Sequence, residues 1–147
     1  MSGPAHVRYG HRCRPRDLHV ACPRCGARAL AVKPSEHGSG AIVGDLAGTW
    51  HLADWSVRCG GCAYRADGLA FEGLPPLYYT FDVGALTVWA WSHAHLEMLG
   101  LFLSGRSVAQ HPLGWMQTYV PGEWKKTRHR SALGRAIQAR LSAAPGG

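Results

Sequence analysis

The chain has no long hydrophobic run. Its most apolar stretch, VGALTVWAWSHAHLEMLGLFL, is broken by His93, His95 and Glu97, and a spanning helix needs about 20 predominantly apolar residues in succession. The opening MSGPAHVRYGHRCRPR contains no apolar h-region, so no secretory signal is expected. Low-complexity tracts and internal repeats are also missing, apart from two short Cys-x-x-Cys turns. No Ser/His/Asp set, no Gly-rich phosphate loop and no convincing carboxylate pair stands out, which points away from an enzyme. These absences together predict a soluble cytoplasmic protein without a membrane anchor. Its 147 residues are enough for one domain or two small modules.

Acidic residues are scarce as well. Nine Asp and Glu stand against 16 Lys and Arg, giving a formal net charge of +7. The excess lies at the two ends: residues 1–30 and the segment from Pro121 onward each carry +5, whereas residues 31–120 carry −3. Basic ends around a mildly acidic centre suggest an anionic partner such as nucleic acid, DNA or RNA. Solvated faces and a loose arm would give the same count.

Cysteine is present in an odd number, five, which in a reducing compartment argues against a disulfide framework. Four of the five form two pairs, Cys22/Cys25 and Cys59/Cys62, with 33 residues between them. Each Cys-x-x-Cys turn presents two thiolates to one ion, and two facing turns complete the tetrahedral shell that structural Zn²⁺ prefers. Loop-closure entropy rises slowly with length, so the long intervening segment is no obstacle. A dithiol redox site or an iron–sulfur cluster would also use cysteines. Neither pair precedes an obvious helix, as a redox pair would. Cys13 is left over beside His11, and a free thiol is the simpler reading.

With these residues in view, the sequence resembles the zinc-ribbon fold, in which two knuckles cap a small antiparallel sheet. Cys22-Pro23-Arg24-Cys25-Gly26 matches the usual knuckle, including a glycine able to take positive φ. Cys59-Gly60-Gly61-Cys62-Ala63 has alanine at the corresponding place, which predicts a less ideal second knuckle. The resemblance implies one structural Zn²⁺ held by Cys22, Cys25, Cys59 and Cys62.

The expected fold class is α+β: a small antiparallel zinc ribbon, then a β-hairpin and two or three helices. Residues 1–20 read as a basic flexible arm, 21–72 as the ribbon, 73–142 as hairpin plus helices, and 143–147 as a disordered tail. Strands are expected in ALAVK, TWHLADWSVRC and YRADGLAF, with PSEHGSGAIVGDLAG as a long hairpin tip. LYYTFDVGALTVWAW predicts two strands joined at Gly84-Ala85. Ser92 should cap a helix to about Ser104, buried through Leu96, Leu99 and Leu103. A short helical turn is expected around Leu113–Thr118, and a last helix from about Arg130 to Ser142, with Leu133, Ile137 and Leu141 on one face. The segment from Leu77 to Leu141 also resembles small uncharacterised bacterial and phage proteins. They pair a ribbon with Trp89-Ala90-Trp91, His95-Leu96 and a basic terminal helix behind Trp124. That resemblance implies the two-part architecture and no particular activity.

Three groups of side chains are candidates for function. His93 and His95 lie two apart, so on a helix they point in different directions and do not chelate one ion; a packed His95 is expected. Tyr78, Tyr79, Phe81, Trp89 and Trp91 crowd the hairpin. If exposed they could stack on unpaired bases, whereas if buried they form the core. Lys125, Lys126, Arg128, Arg130 and Arg135, extended by Arg24 and Arg28 near the first knuckle, suit phosphate neutralisation. The expectation is therefore a zinc-binding, non-catalytic protein that binds nucleic acid or a protein of nucleic-acid metabolism. The competing reading is a zinc-ribbon adaptor for protein–protein interaction in a phage, mobile-element or transcription context.

Overall fold

The computed structural model describes residues 13–34, 42–44 and 52–143, which group into two compact units meeting between Tyr78 and Tyr79. Among the described residues no helix is long and apolar enough to cross a membrane.

The first unit is built on strands. β1 (Cys13–Pro15) pairs with β4 (Ile42–Gly44). β2 (Asp17–Ala21), β3 (Arg28–Val32), β5 (Trp55–Cys59) and β6 (Arg65–Leu69) form an antiparallel sheet in the order β2-β3-β5-β6. One face of that sheet is apolar by alternation. Leu18, Val20, Ala31, Trp55 and Val57 are fully buried, and Phe71 closes over Trp55 with ring centroids 6.1 Å apart. At the end remote from the cysteines, the buried Lys33 ammonium pairs with Asp54 at 2.5 Å and lies over the Trp55 ring.

Two boundaries differ from the sequence expectation. The expected flexible arm does not extend to residue 20, because residues 13–15 and 17–21 are strands. Asp17-Leu-His-Val-Ala alternates exposed and buried positions, a short β signal hidden among arginines. The ribbon unit also runs past residue 72. The N–H of Ala21 donates to the Pro76 carbonyl and the N–H of Tyr78 to that of His19, both at 2.9 Å. The Leu74–Leu77 stretch thus runs beside β2, with Leu74 and Leu77 buried. The tip at residues 35–41 and 45–51, the tail from 144 and the side-chain pairing of Cys13 with His11 lie outside the described residues.

The second unit follows its sequence closely. β7 (Tyr79–Val83) and β8 (Leu86–Ala90) pair across Gly84-Ala85. Ser92 caps α1 (His93–Leu103), its hydroxyl accepting from the His95 N–H at 3.2 Å. Short 3-10 turns cover Gly114–Tyr119 and Gly122–Lys125, and α2 (Thr127–Ser142) begins three residues before the expected start. Leu96, Leu99, Leu103, Leu133 and Ile137 are buried between the elements. Most of the aromatics belong to this core: Trp89 packs edge-on against Trp91, His95 and Trp124 at 5.4–6.2 Å, and Tyr79, Trp89, Trp91 and Trp124 are all buried, whereas Tyr78 and Phe81 are half-buried. Base stacking by the buried rings would require unfolding the unit.

Gly114 is buried where the chain crosses itself. A Cβ there would sit 2.2 Å from the Val108 carbonyl oxygen, a backbone atom with little freedom to withdraw. Gly114→Ala is therefore expected to destabilise the second unit by about 1–3 kcal/mol or more, read as a lowered urea midpoint. An unchanged midpoint would show that the 108–114 crossing yields easily.

Candidate metal centre

The four cysteines converge at one end of the ribbon sheet. Their Sγ atoms all lie within 4.8 Å of one another, with Cys22 to Cys62 at 3.7 Å and Cys25 to Cys59 at 3.5 Å. A tetrahedron with Zn–S bonds of about 2.3 Å has edges of about 3.8 Å, so the cage matches a single tetrahedral ion. Backbone N–H groups point at the sulfurs: Arg24 to Cys22 at 3.4 Å, Gly61 to Cys59 at 3.2 Å and Tyr64 to Cys62 at 3.4 Å. Such donors stabilise thiolate, the form that binds metal.

Both knuckles grow out of the sheet register. The Cys22 N–H donates to the Ala27 carbonyl at 2.8 Å, and the Cys59 N–H to the Tyr64 carbonyl at 3.0 Å. Gly26 takes φ +78° and returns its N–H to the Cys22 carbonyl at 2.9 Å, a backbone state costly for a residue with a Cβ. No non-glycine described residue has positive φ, so Ala63 closes the second knuckle in an ordinary conformation. The alanine is accommodated, and all four sulfurs still meet. The Arg24 guanidinium, 5.7 Å from the Tyr64 ring centroid, ties one knuckle to the other.

The thiols also differ electrostatically. Burial resists ionisation of Cys22, but the N–H groups of Cys25 and Arg24 and the thiols of Cys59 and Cys62 outweigh it, bringing its pKa from 9.0 down to about 6. The Ala27 N–H favours a Cys25 thiolate, yet the Cys59, Cys62 and Cys22 sulfurs together with burial push its pKa up to about 12. The cluster thus accepts a first negative charge readily and opposes a further one. A bound cation removes that opposition, and with four sulfur donors it has no open position for a water ligand.

No other set of His, Cys, Asp or Glu among the described residues converges in this way. His95 is buried, and its Nδ1 accepts the Trp91 N–H at 3.0 Å. His93 lies against the Tyr79 ring. Glu97 is 3.6 Å from His111 Nε2.

The basic residues fall into separate settings. Arg24 is exposed and Arg28 half-buried in the first unit; Lys125, Lys126, Arg128 and Arg135 are exposed in the second. Glu123 sits among the bases of its own turn, 2.6 Å from Lys126, 3.4 Å from His129 and 3.7 Å from Arg128. The Lys126 ammonium, helped by Arg128 and His129, holds its carboxyl below the usual range. Its contribution to that cluster is present at neutral pH and lost as pH falls through the lowered value. Arg130 is engaged differently: its Nε and Nη2 donate to the Leu103 and Phe102 carbonyls at 3.3 and 2.9 Å, capping the C-terminal end of α1.

Sequence reasoning missed Arg58 and Arg65. They stand directly opposite each other on β5 and β6, in one row with His19 and Leu30, and Arg28 shares that outward face by alternation. Both are exposed. They were hidden because they lie in the segment whose overall charge is negative; the signal was their placement beside the ligands, one residue before Cys59 and three after Cys62.

Comparison with known proteins finds no matching family model, no similar curated protein and no similar solved structure.

Proposed function

We propose that the four thiolates hold one structural Zn²⁺, and that the protein binds nucleic acid through basic side chains without chemistry of its own. The observation that carries this reading is the Arg58–Arg65 pair. Like charges directly opposite on adjacent strands are destabilising, and no ion pair compensates these two among the described residues. A phosphate backbone would relieve the repulsion and gain affinity from it. The exposed Lys125, Lys126 and Arg128 turn supports the same partner.

Fluorescence anisotropy of the zinc-loaded chain with labelled single-stranded DNA, duplex DNA and RNA across a salt series is the test. Affinity for duplex is expected to fall with salt with a logarithmic slope of about 0.9 per phosphate contacted. Arg58→Ala/Arg65→Ala and Lys125→Ala/Lys126→Ala/Arg128→Ala should each weaken binding and flatten that slope. Arg130 is left in place because its loss would uncap α1. Glu123→Gln should strengthen binding by freeing the Lys126 and Arg128 cations. No binding to any of the three at low salt would reject the proposal.

The adaptor reading is favoured by one observation. Leu30 and Leu52 are large apolar side chains of the ribbon unit that remain 41% and 46% exposed, as an apolar protein contact would use them. Binding that resists salt and is lost in Leu30→Ser would support it.

A further inference from the structure

Within the second unit, α1 and α2 pack at a point of small residues: a Cβ on Gly100 would meet Ile137 at 3.1 Å, and one on Gly134 would meet Ser104 Oγ at 3.4 Å. Beside this contact the helices enclose a groove of about 960 Å³, at the upper end of the range for small-molecule sites, about 300–1,000 Å³. Its charged and titratable lining is uneven. Arg106, Arg130 and Arg135 face it together with His93 and His111, and Glu97 is the one carboxylate among the lining residues.

Two features make this lining more than a solvated face. Arg130 is held on two α1 carbonyls, which fixes its planar fork and leaves the rest of its five N–H donors unspent. A donor already immobilised loses little entropy on meeting a ligand. His111 accepts the Leu113 N–H on Nδ1 at 3.0 Å, so in the neutral ring the proton is on Nε2, directed toward Glu97 at 3.6 Å. Glu97 and Arg130's attachment point on α1 are separated by roughly 8 Å along the helix at about 1.5 Å per residue. The groove thus offers guanidinium donors at one end and a hydrogen-bonding carboxylate at the other.

We propose that this groove binds a phosphate ester of about nucleotide size, its phosphate held by Arg106, Arg130 and Arg135 and its hydroxyl-bearing part directed toward Glu97. Guanidinium forks match phosphate oxygens in geometry and charge, and Glu97 is an acceptor for hydroxyl groups. The inference does not depend on the nucleic-acid reading, which rests on other side chains.

Calorimetric titration of the zinc-loaded full chain with adenosine 5′-monophosphate, inorganic phosphate and adenosine tests it. The monophosphate should bind saturably at one site per chain and adenosine should not. Inorganic phosphate should bind much more weakly than the monophosphate; binding as tight would show that the organic part contributes nothing and would overturn the assignment of an ester. Arg106→Gln/Arg135→Gln, at exposed positions whose loss leaves the helix packing intact, should weaken the monophosphate by about tenfold or more. Arg140→Gln, which removes one positive charge from α2 outside the groove, should leave it unchanged. Absence of binding by either phosphate compound, equal binding of adenosine, or equal effects of the groove and Arg140 variants would overturn the assignment. A chain that binds the monophosphate but no oligonucleotide would retain this site and lose the nucleic-acid reading.

Discussion

Cys22→Ser or Cys59→Ser is expected to abolish metal binding and unfold the ribbon unit. The thiols are the point where the strands of the sheet are fastened: Cys22 directly follows β2, Cys59 ends β5, and among the described residues the two knuckles are joined by the sulfurs, the Arg24–Tyr64 contact and the sheet behind them. Structural Zn²⁺ contributes an apparent binding free energy of about 10–16 kcal/mol in small modules, as large as the whole net stability of about 5–15 kcal/mol typical of a domain. Wild-type protein should contain one equivalent of zinc by elemental analysis. In either variant, or after chelation, the dispersed amide resonances of residues 17–34 and 55–69 should collapse. Cys13→Ser, outside the four-sulfur cluster, should keep both metal and spectrum. A metal-free Cys22→Ser/Cys59→Ser chain that retained a dispersed ribbon spectrum would defeat the claim.

Trp91→Ala carries the second large effect. Trp91 is fully buried, its indole packed edge-on against Trp89 at 5.4 Å and its N–H backbone group donating to His95. Removing it strips a fully buried ring from beside Trp89, the ring that meets α1 at His95 and the turn bearing Trp124. Large aromatic truncations of this kind cost about 3–5 kcal/mol, to be read from the urea midpoint of the full chain. Trp91→Phe, which keeps most of the volume, should lose less. A loss under about 1 kcal/mol for the alanine variant would mean that the rings are not the core, and would return them to candidacy as a contact surface.

Much of the second unit was legible because its signals are local. Ser92 as cap, the leucines of α1 and the Gly84-Ala85 turn each depend on spacings of a few residues, and each holds in the structure. What failed was the arm. Asp17–Ala21 has the period of a strand, but five residues give that period little weight beside the arginines flanking it, and pairing with β3 decides the matter from outside the segment. The boundary at residue 72 failed for the same reason. Gly73 and the prolines at 75 and 76 break the local structure, yet Leu74 and Leu77 are drawn into the ribbon's core by a neighbour far away in sequence.

By itself the sequence determined the metal ligands and the class of fold. Two Cys-x-x-Cys turns define a tetrathiolate site without further information, because the geometry lies within each turn and the ion supplies the rest. Only the tertiary structure decided where each basic and aromatic side chain lies and what it touches. It buried Trp89 and Trp91, assigned Arg130 to the end of α1, set Arg58 against Arg65 and gathered Arg106 and Arg135 around a groove. Burial and charge proximity are properties of residues brought together from distant segments. Composition counts such residues but cannot say which neighbours they acquire.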